Sequence, residues 1–277
     1  MISLFSYAKI NIFLYVLNKR VDGYHNIFSL MTKIDLHDTI SIEKSSSFAI
    51  HSNDKGIPTD ENNIVWKIYD LVKRRYDIPP VKFNIYKSIP WGAGLGGGSS
   101  NAETALRLLD IYFDLNMTDD AKKEILQSVG SDTVFFMSKG GSAYAEGRGE
   151  IISSGPEIVK AHLLIVKPPF GVSTKEAYQN VKLRLTNNYN KDKIRSFLGY
   201  NDLLSILEND FECSIFKIYE ELGWIKNTML KLGADGALMS GSGSTIFGLF
   251  SNLNKLWAAK RYFDAIKRYK TIKTTIL

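Results

Sequence analysis

A single cysteine, Cys213, stands in the 277-residue chain. That excludes an internal disulfide and any cysteine-built zinc cage, and it fits a reducing compartment. No apolar run approaches the roughly 20 residues that a helix needs to cross a bilayer. The first residues, MISLFSYAKINIFLYVLNKR, are apolar but carry neither a basic leader nor a small-residue cleavage site. No signal peptide is expected, and the cytoplasm is the default location. Internal repeats and long low-complexity tracts are missing as well. The hydrophobic fraction of 44% is that of an ordinary soluble globular chain, long enough for one large domain or two smaller ones.

What is present alternates between strand and helix patterns. In SYAKINIFLYVL (6–17), Lys9 and Asn11 fall on alternate positions, so both side chains leave one face of a strand whose other face is apolar. KIDLHDTISIE (33–43) reads as a second strand. NNIVWKIYDLVKRRY (62–76) places Ile64, Ile68, Leu71 and Val72 at helical spacing behind a cap at Asn62 or Asn63. PPVKFNIYKSIP (79–90) is again a strand. A helix with the stripe Ala102, Ala105, Leu106, Leu109 and Phe113 is expected to begin just past a run of glycines. From about residue 160 the pattern gives a strand AHLLIVKPP, helices around 174–183, 201–210 and 213–232, and a hairpin of ALMSG and STIFGLF. A last helix covers 255–268, and residues 186–200 read as a mobile loop.

The glycine run, IPWGAGLGGGSSNAE (89–103), lies between a strand and a helix start. Each glycine costs backbone entropy on ordering, so five in seven positions need a reason. A helix N-terminus offers unpaired backbone N–H groups and the positive end of the dipole, and glycines let the backbone close around a phosphate. Ser99 and Ser100 could add hydroxyl donors or a metal ligand. No lysine follows the last glycine, which excludes the G-x-x-x-x-G-K-[ST] loop. Gly92, Gly94 and Gly97 satisfy G-x-G-x-x-G, but a dinucleotide site wants an acidic residue about 20 positions on at the end of a second strand, whereas Asp110 and Asp114 still lie on or just beyond the helix. The V-A-I-K, H-R-D and D-F-G signals of protein kinases are missing too.

Pro90 to Ala102, P-W-G-A-G-L-G-G-G-S-S-N-A, resembles the second motif, a phosphate loop, of the GHMP kinases. The first motif of that family is similar to S-Y-A-K-I-N-I-F-L at 6–14, followed by D-G-Y-H at 22–25. The third is similar to M-S-G-S-G-S-T-I-F at 239–247. Between them G-S-D-T-V-F-F, 130–136, resembles the family's G-A-D-V-P-F-F, with Val134 where proline is usual. Four motifs in the family's order are more specific than any one glycine loop.

The resemblance implies an α+β, two-lobed fold. An N-terminal mixed α/β lobe, residues 1–158, carries the glycine-rich loop, and a ferredoxin-like α+β lobe covers 159–277. It implies ATP and Mg²⁺, and phosphorylation of the 2-hydroxyl of a cytidine diphosphate-linked methylerythritol. Lys9 and Asp132 match the catalytic pair. Transfer to an alcohol needs the hydroxyl proton removed as the bond forms, and an ammonium stabilises the developing charge. For ATP it points to Asn63 and Lys87 near adenine, and to Pro90, Gly92, Gly94, Leu95, Gly96, Gly97, Gly98, Ser99 and Ser100 around the phosphates. For the alcohol it points to Asn11 near the reacting hydroxyl, to Tyr24 and Tyr178 on either side of cytosine, and to His25 as its hydrogen-bond partner. No carboxylate cluster marks a metal site.

The expected partner is this small molecule, taken up by a monomer or homodimer, with neither nucleic acid nor membrane involved. The net charge of +6 is diffuse. Its densest part, KRYFDAIKRYKTIK, places Lys260, Lys267, Arg268 and Lys270 on a solvated helix face. Three rivals remain: another small-alcohol kinase of the mevalonate or homoserine type, a basic RNA-binding module, whose affinity would fall steeply with salt, and a dinucleotide oxidoreductase.

Overall fold

β-Branched and aromatic residues in alternation make the first strand, β1 (Ile2–Lys19), in the computed structural model, which describes residues 1–183 and 196–277. Ala8, Ile10, Ile12 and Leu14 line one face of β1 and Lys9, Asn11 and Phe13 the other, and none is more than 5% exposed. The alternation is the expected one, but the polar row is buried too. A tight turn follows. The Gly23 N–H donates to the Arg20 carbonyl at 3.1 Å, the Tyr24 N–H donates to Asp22 Oδ1 at 3.1 Å, and Gly23 takes φ +85°, which favours glycine. The second strand, β2 (His25–Lys44), therefore starts directly after the turn, eight residues ahead of the sequence reading.

The chain continues through β3 (Ala49–Ser52), α1 (Ile64–Tyr76), β4 (Val81–Tyr86), α2 (Gly97–Phe113), α3 (Asp119–Val129) and a 3-10 helix at Ser131–Met137. Next come β5 (Ser142–Gly147), β6 (Ile151–Ser154), β7 (Glu157–Ile158), β8 (His162–Lys167) and α4 (Thr174–Asn180). Then follow β9 (Phe197–Leu198), α5 (Tyr200–Ser205), β10 (Glu208–Asn209), α6 (Glu212–Ile218) and α7 (Glu220–Lys231). The chain ends with β11 (Gly236–Met239), β12 (Ile246–Phe250), α8 (Leu253–Ala265) and β13 (Lys270–Thr275). Two compact units are interleaved along it. One comprises Met1–Ala8, Leu36–Trp91 and Gly96–Met137, the other Lys9–Asp35, Gly92–Leu95 and Ser138–Leu277.

In the first unit the late part of β2 pairs antiparallel with β4, Thr39 opposite Tyr86, and β4 pairs parallel with β3. Helix α1 starts where Asn63 Oδ1 accepts the Val65 N–H at 2.9 Å and ends on Lys73, Arg74 and Arg75, whose charges complement the dipole. It packs against α2 and α3, burying Val65, Ile68, Tyr69 and Val72. Each of the three aliphatic chains, Val65, Ile68 and Val72, contributes about 1.5–3 kcal/mol by burial. Helix α2 begins at Gly97, inside the glycine run rather than past it.

In the second unit the early part of β2 pairs antiparallel with β5, and β5 with β6. Four strands form a separate antiparallel sheet in the order β11-β12-β8-β13, with α7 and α8 packed on it. Chain order β8, helices, β11, β12, α8, β13 with this neighbour order is the split β-α-β-β-α-β arrangement expected for the C-terminal lobe. Three differences from the sequence reading have causes in contacts distant along the chain. The helix read over 213–232 breaks at Tyr219, whose ring stacks on Phe170 at 5.3 Å and whose hydroxyl donates to Glu176 at 2.8 Å. The helix read over 201–210 stops at Ser205, and Glu208 and Asn209 pair parallel with β1. The final strand β13, not expected, covers β8 on its open side. Lys270 lies on that strand, Lys260 pairs with Asp264 and Arg268 with Glu221, so the basic stretch is not one helix face. Of the loop read over 186–200, residues 186–195 lie outside the described residues, and Phe197 and Leu198 pair with β7.

Candidate active site

Three glycines of the loop have backbones that demand glycine: Gly92, Gly94 and Gly96 take φ +60°, +73° and +68°. Gly94 is constrained twice. A Cβ there would run into the Ser240 carbonyl and lie 3.0 Å from that of Gly243. The loop 240–245 between β11 and β12 clasps this segment. Ser240 Oγ donates to the Gly94 carbonyl at 3.0 Å, and the Thr245 N–H donates to that of Ala93 at 3.3 Å. Asn209 holds the clasp, donating from Nδ2 to the Met239 and Gly241 carbonyls at 2.7 and 2.8 Å. Sequence reasoning missed Asn209, because nothing local to β10 announces a partner some 30 residues on.

Beyond Gly96 the loop becomes the first turn of α2. The Ser100 N–H donates to the Gly96 carbonyl at 2.9 Å, so the amides of Gly97, Gly98 and Ser99 precede the first intrahelical bond. Gly97 sits tight, since a Cβ would lie 2.9 Å from Ile89. Gly98 has ordinary φ, is exposed, and has nothing within 4 Å of an added Cβ. The Ser100 hydroxyl is buried and accepts from Ser6 Oγ at 2.8 Å.

Beneath this turn lies a buried polar cluster that the motifs did not reveal. Asp38, fully buried, accepts from Lys87 Nζ, from Asn101 Nδ2 at 2.9 Å, and from the Ser88 and Ile89 N–H groups at 2.8 and 2.9 Å. Lys87 Nζ also donates to Asn101 Oδ1 at 3.1 Å. A buried charge so paired is costly to break from one side, so the cluster fixes the entry to α2. The signal was available: Asp38 falls in the inward series Ile34, Leu36, Asp38, Ile40, Ile42 of β2. Asn63, expected near adenine, donates from Nδ2 to the Pro58 carbonyl at 2.6 Å while its Oδ1 caps α1.

Lys9 lies on β1 in the second unit. Its N–H donates to the Leu95 carbonyl at 2.9 Å, tying the strand to the glycine loop, and its Nζ donates to Asn11 Oδ1 at 2.7 Å. That oxygen lies 3.7 Å from where a Cβ of Gly241 would be. Lys9, Asn11 and both clasped loops thus meet in one place. Asp132 belongs to the first unit and opens the 3-10 helix. Thr133 Oγ1 fastens that helix to the Leu126 and Gly130 carbonyls, each at 2.7 Å. Val134, Phe135 and Phe136 anchor it in the core.

The aromatics gather at the start of β2. The His25 and Tyr178 rings stack at 5.1 Å and 13°, and Tyr178 meets Phe211 edge-on at 4.9 Å. Tyr24 is 57% exposed, with the Arg148 guanidinium 5.0 Å from its ring centre. Burial, and then the charge of Lys19, hold the His25 imidazole below its ordinary pKa, so it is neutral at pH 7. Lys167, buried, donates to the Pro168 and Phe170 carbonyls at 2.7 Å each and shapes the loop leading to α4. Among the described residues no group of three or more His, Cys, Asp or Glu could hold a metal ion, and no helix is long and apolar enough to cross a membrane.

Two family models match the chain: the GHMP kinases N terminal domain over residues 63–141 and the GHMP kinases C terminal domain over 195–266. The chain is 40% identical to the 4-diphosphocytidyl-2-C-methyl-D-erythritol kinase of Thermodesulfovibrio yellowstonii, across 94% of this chain and 93% of that protein. It is 38% identical to the enzyme of the same name from Thermoanaerobacter pseudethanolicus, across 96% and 93%. A crystal structure of 4-(cytidine 5'-diphospho)-2C-methyl-D-erythritol kinase superposes with a TM-score of 0.80 at 26% identity, covering 99% of both chains. A mevalonate kinase structure at 16% identity and TM-score 0.71, covering 100% and 99%, shares the fold.

Proposed function

Since the chain belongs to the GHMP kinase family, we propose that it transfers the γ-phosphoryl group of ATP to the 2-hydroxyl of 4-diphosphocytidyl-2-C-methyl-D-erythritol, in non-mevalonate isoprenoid precursor biosynthesis. The observation that carries this reading is the near full-length likeness to kinases of that name. The phosphate end of the reading is supported by the first turn of α2, where Gly97, Gly98 and Ser99 offer backbone N–H groups at the positive end of the dipole. Gly98 is the telling position. Packing among the described residues gives it no reason to be glycine, whereas a phosphate pressed against the backbone does.

At the reacting end, Asp132 takes the proton of the 2-hydroxyl as its oxygen bonds the γ-phosphorus and the bond to ADP breaks. The Lys9 ammonium stabilises the charge that develops on the transferring group. Asn11 holds the alcohol. Tyr24 and Tyr178 take the cytosine ring and His25, neutral, gives it a hydrogen-bond partner. Asn63 and Lys87 stand in the scaffold that shapes the adenine side. Mg²⁺ is expected to arrive with the triphosphate, whose charge it offsets, since it is commonly held through phosphate oxygens rather than by an all-protein cage. Ser100, a candidate ligand by sequence, has its hydroxyl bonded to Ser6. We assign residues 1–158 to the ATP-binding domain and 159–277 to the C-terminal domain.

The purified protein, mixed with ATP, Mg²⁺ and each candidate alcohol in turn, should release ADP only with the cytidylated one. Turnover of mevalonate or homoserine would reassign the substrate. Asp132→Asn should lower kcat by about 10²–10⁴-fold while ATP binding, followed by fluorescence or calorimetry, stays as it was. Undiminished turnover would remove Asp132 from the base role.

A further inference from the structure

On the polar face of β1, Lys9, Asn11 and Phe13 follow one another at every second position, and a side chain from β2 reaches across to them. Ser29 is fully buried, and its Oγ donates to the Phe13 carbonyl at 2.6 Å. A serine hydroxyl has one proton, and here it is committed to that carbonyl. Towards Asn11, 2.8 Å away, Ser29 Oγ can therefore only accept, and the amide end it faces must be the Nδ2 donor. The opposite end of the amide, Oδ1, is then turned to Lys9 Nζ at 2.7 Å. The reverse orientation would set an NH₂ group against an ammonium and leave a carbonyl oxygen facing the lone pairs of a hydroxyl. All three side chains are no more than 3% exposed, so water does not compete for these bonds.

We propose that Ser29 is a positioning residue: its hydroxyl, fixed on the Phe13 carbonyl, sets the orientation of the Asn11 amide and through it the aim of the Lys9 ammonium. The catalytic consequence rests on the function proposed above, because it is there that Lys9 and Asn11 act on the transferring phosphoryl group and the alcohol. The orientation itself does not. Ser29 was absent from the sequence motifs because its partners lie on the neighbouring strand, 16 and 18 residues away.

Two measurements on the full chain separate these layers. The side-chain amide resonances of Asn11, identified by their loss in Asn11→Ala, should exchange with solvent slowly in the wild type and about tenfold faster in Ser29→Ala, whose cavity is small. In turnover of the cytidylated alcohol, Ser29→Ala should lower kcat by about 10- to 100-fold with the KM for ATP unchanged. In an Asn11→Ala background the same substitution should add no further loss, because it acts through that amide. Ser29→Cys, close in shape but a much weaker acceptor, should repeat both effects and serves if Ser29→Ala does not fold. Unchanged amide exchange, or an equal loss of kcat with and without Asn11, would overturn the assignment. A wild type that does not turn over the cytidylated alcohol would instead defeat the function proposed above, while the exchange comparison would still decide what Ser29 orients.

Discussion

At Gly94 an added Cβ would be driven into the Ser240 carbonyl, whereas at Gly98, four residues on, it meets nothing within 4 Å. The first glycine is required by the protein's own backbone. The second is not required by packing against any of the described residues. One loop therefore holds glycine on two independent grounds, close packing where Gly94 meets the 240–245 loop and, on the function proposed above, close approach of a phosphate where α2 opens. The same division runs through the other candidate site residues. Lys9 and Asn11 are buried and hydrogen-bonded into one arrangement, while Tyr24 is 57% exposed. Groups that act on a reacting atom need a fixed position. Groups that grip a flat base through their faces can tolerate more freedom.

Breaking the locked side should have the largest effect. Gly94→Ala combines a left-handed backbone with a collision against main-chain atoms that no side-chain rotation relieves, and we expect a loss on the order of 3–5 kcal/mol. Thermal denaturation and soluble yield would show it. A variant as stable as the wild type would mean that the 240–245 clasp yields easily. Gly98→Ala should do the opposite. Replacing glycine in a helical turn stabilises by about 0.5–1 kcal/mol, a rise of roughly 1–4 °C in Tm, while the new methyl should weaken ATP binding by about tenfold. A Gly98→Ala protein that is stabilised and binds ATP normally would remove the ligand from the explanation of that glycine.

This division also marks what the sequence could show. Period-two alternation exposed β1 and the shared face of Lys9 and Asn11, a cap at Asn62 or Asn63 exposed the start of α1, and the mixture of strands and helices after residue 160 exposed an α+β lobe, whose ferredoxin-like form came from the family resemblance. Each is a signal within about ten residues. The Gly94–Ser240 approach spans 146 positions, so a reader of the loop alone credits all its glycines to phosphate. The break at Tyr219 was hidden for the same reason, since Phe170 and Glu176 impose it. β13 was missed although K-T-I-K-T-T is rich in β-branched residues, because Lys270 was grouped with the basic helix face before it. Asp38 was legible and overlooked: a carboxylate in the inward phase of a strand asks for partners.

The smallest effect is expected where the exposed, aromatic side of the site touches stability. Burial lowers the pKa of His25 in the folded protein, with Lys19 adding to it, while the unfolded chain keeps a value near 6.5. The unfolded state then binds more protons between the two values, so stability rises with pH there. His25 thus costs nothing above about pH 6.5 and destabilises progressively as pH falls through the folded value. Protonation also turns the stack on Tyr178 into a cation on an aromatic face, which offsets part of the loss. Following Tm from about pH 8 to about pH 5 in the wild type and in His25→Asn should show a slightly steeper fall in the wild type. A shallower fall than in His25→Asn would mean that the imidazolium is welcomed at this station. The aromatic side would then favour positive charge, as the Arg148 guanidinium against Tyr24 already does, and the case for a neutral His25 against cytosine would fail.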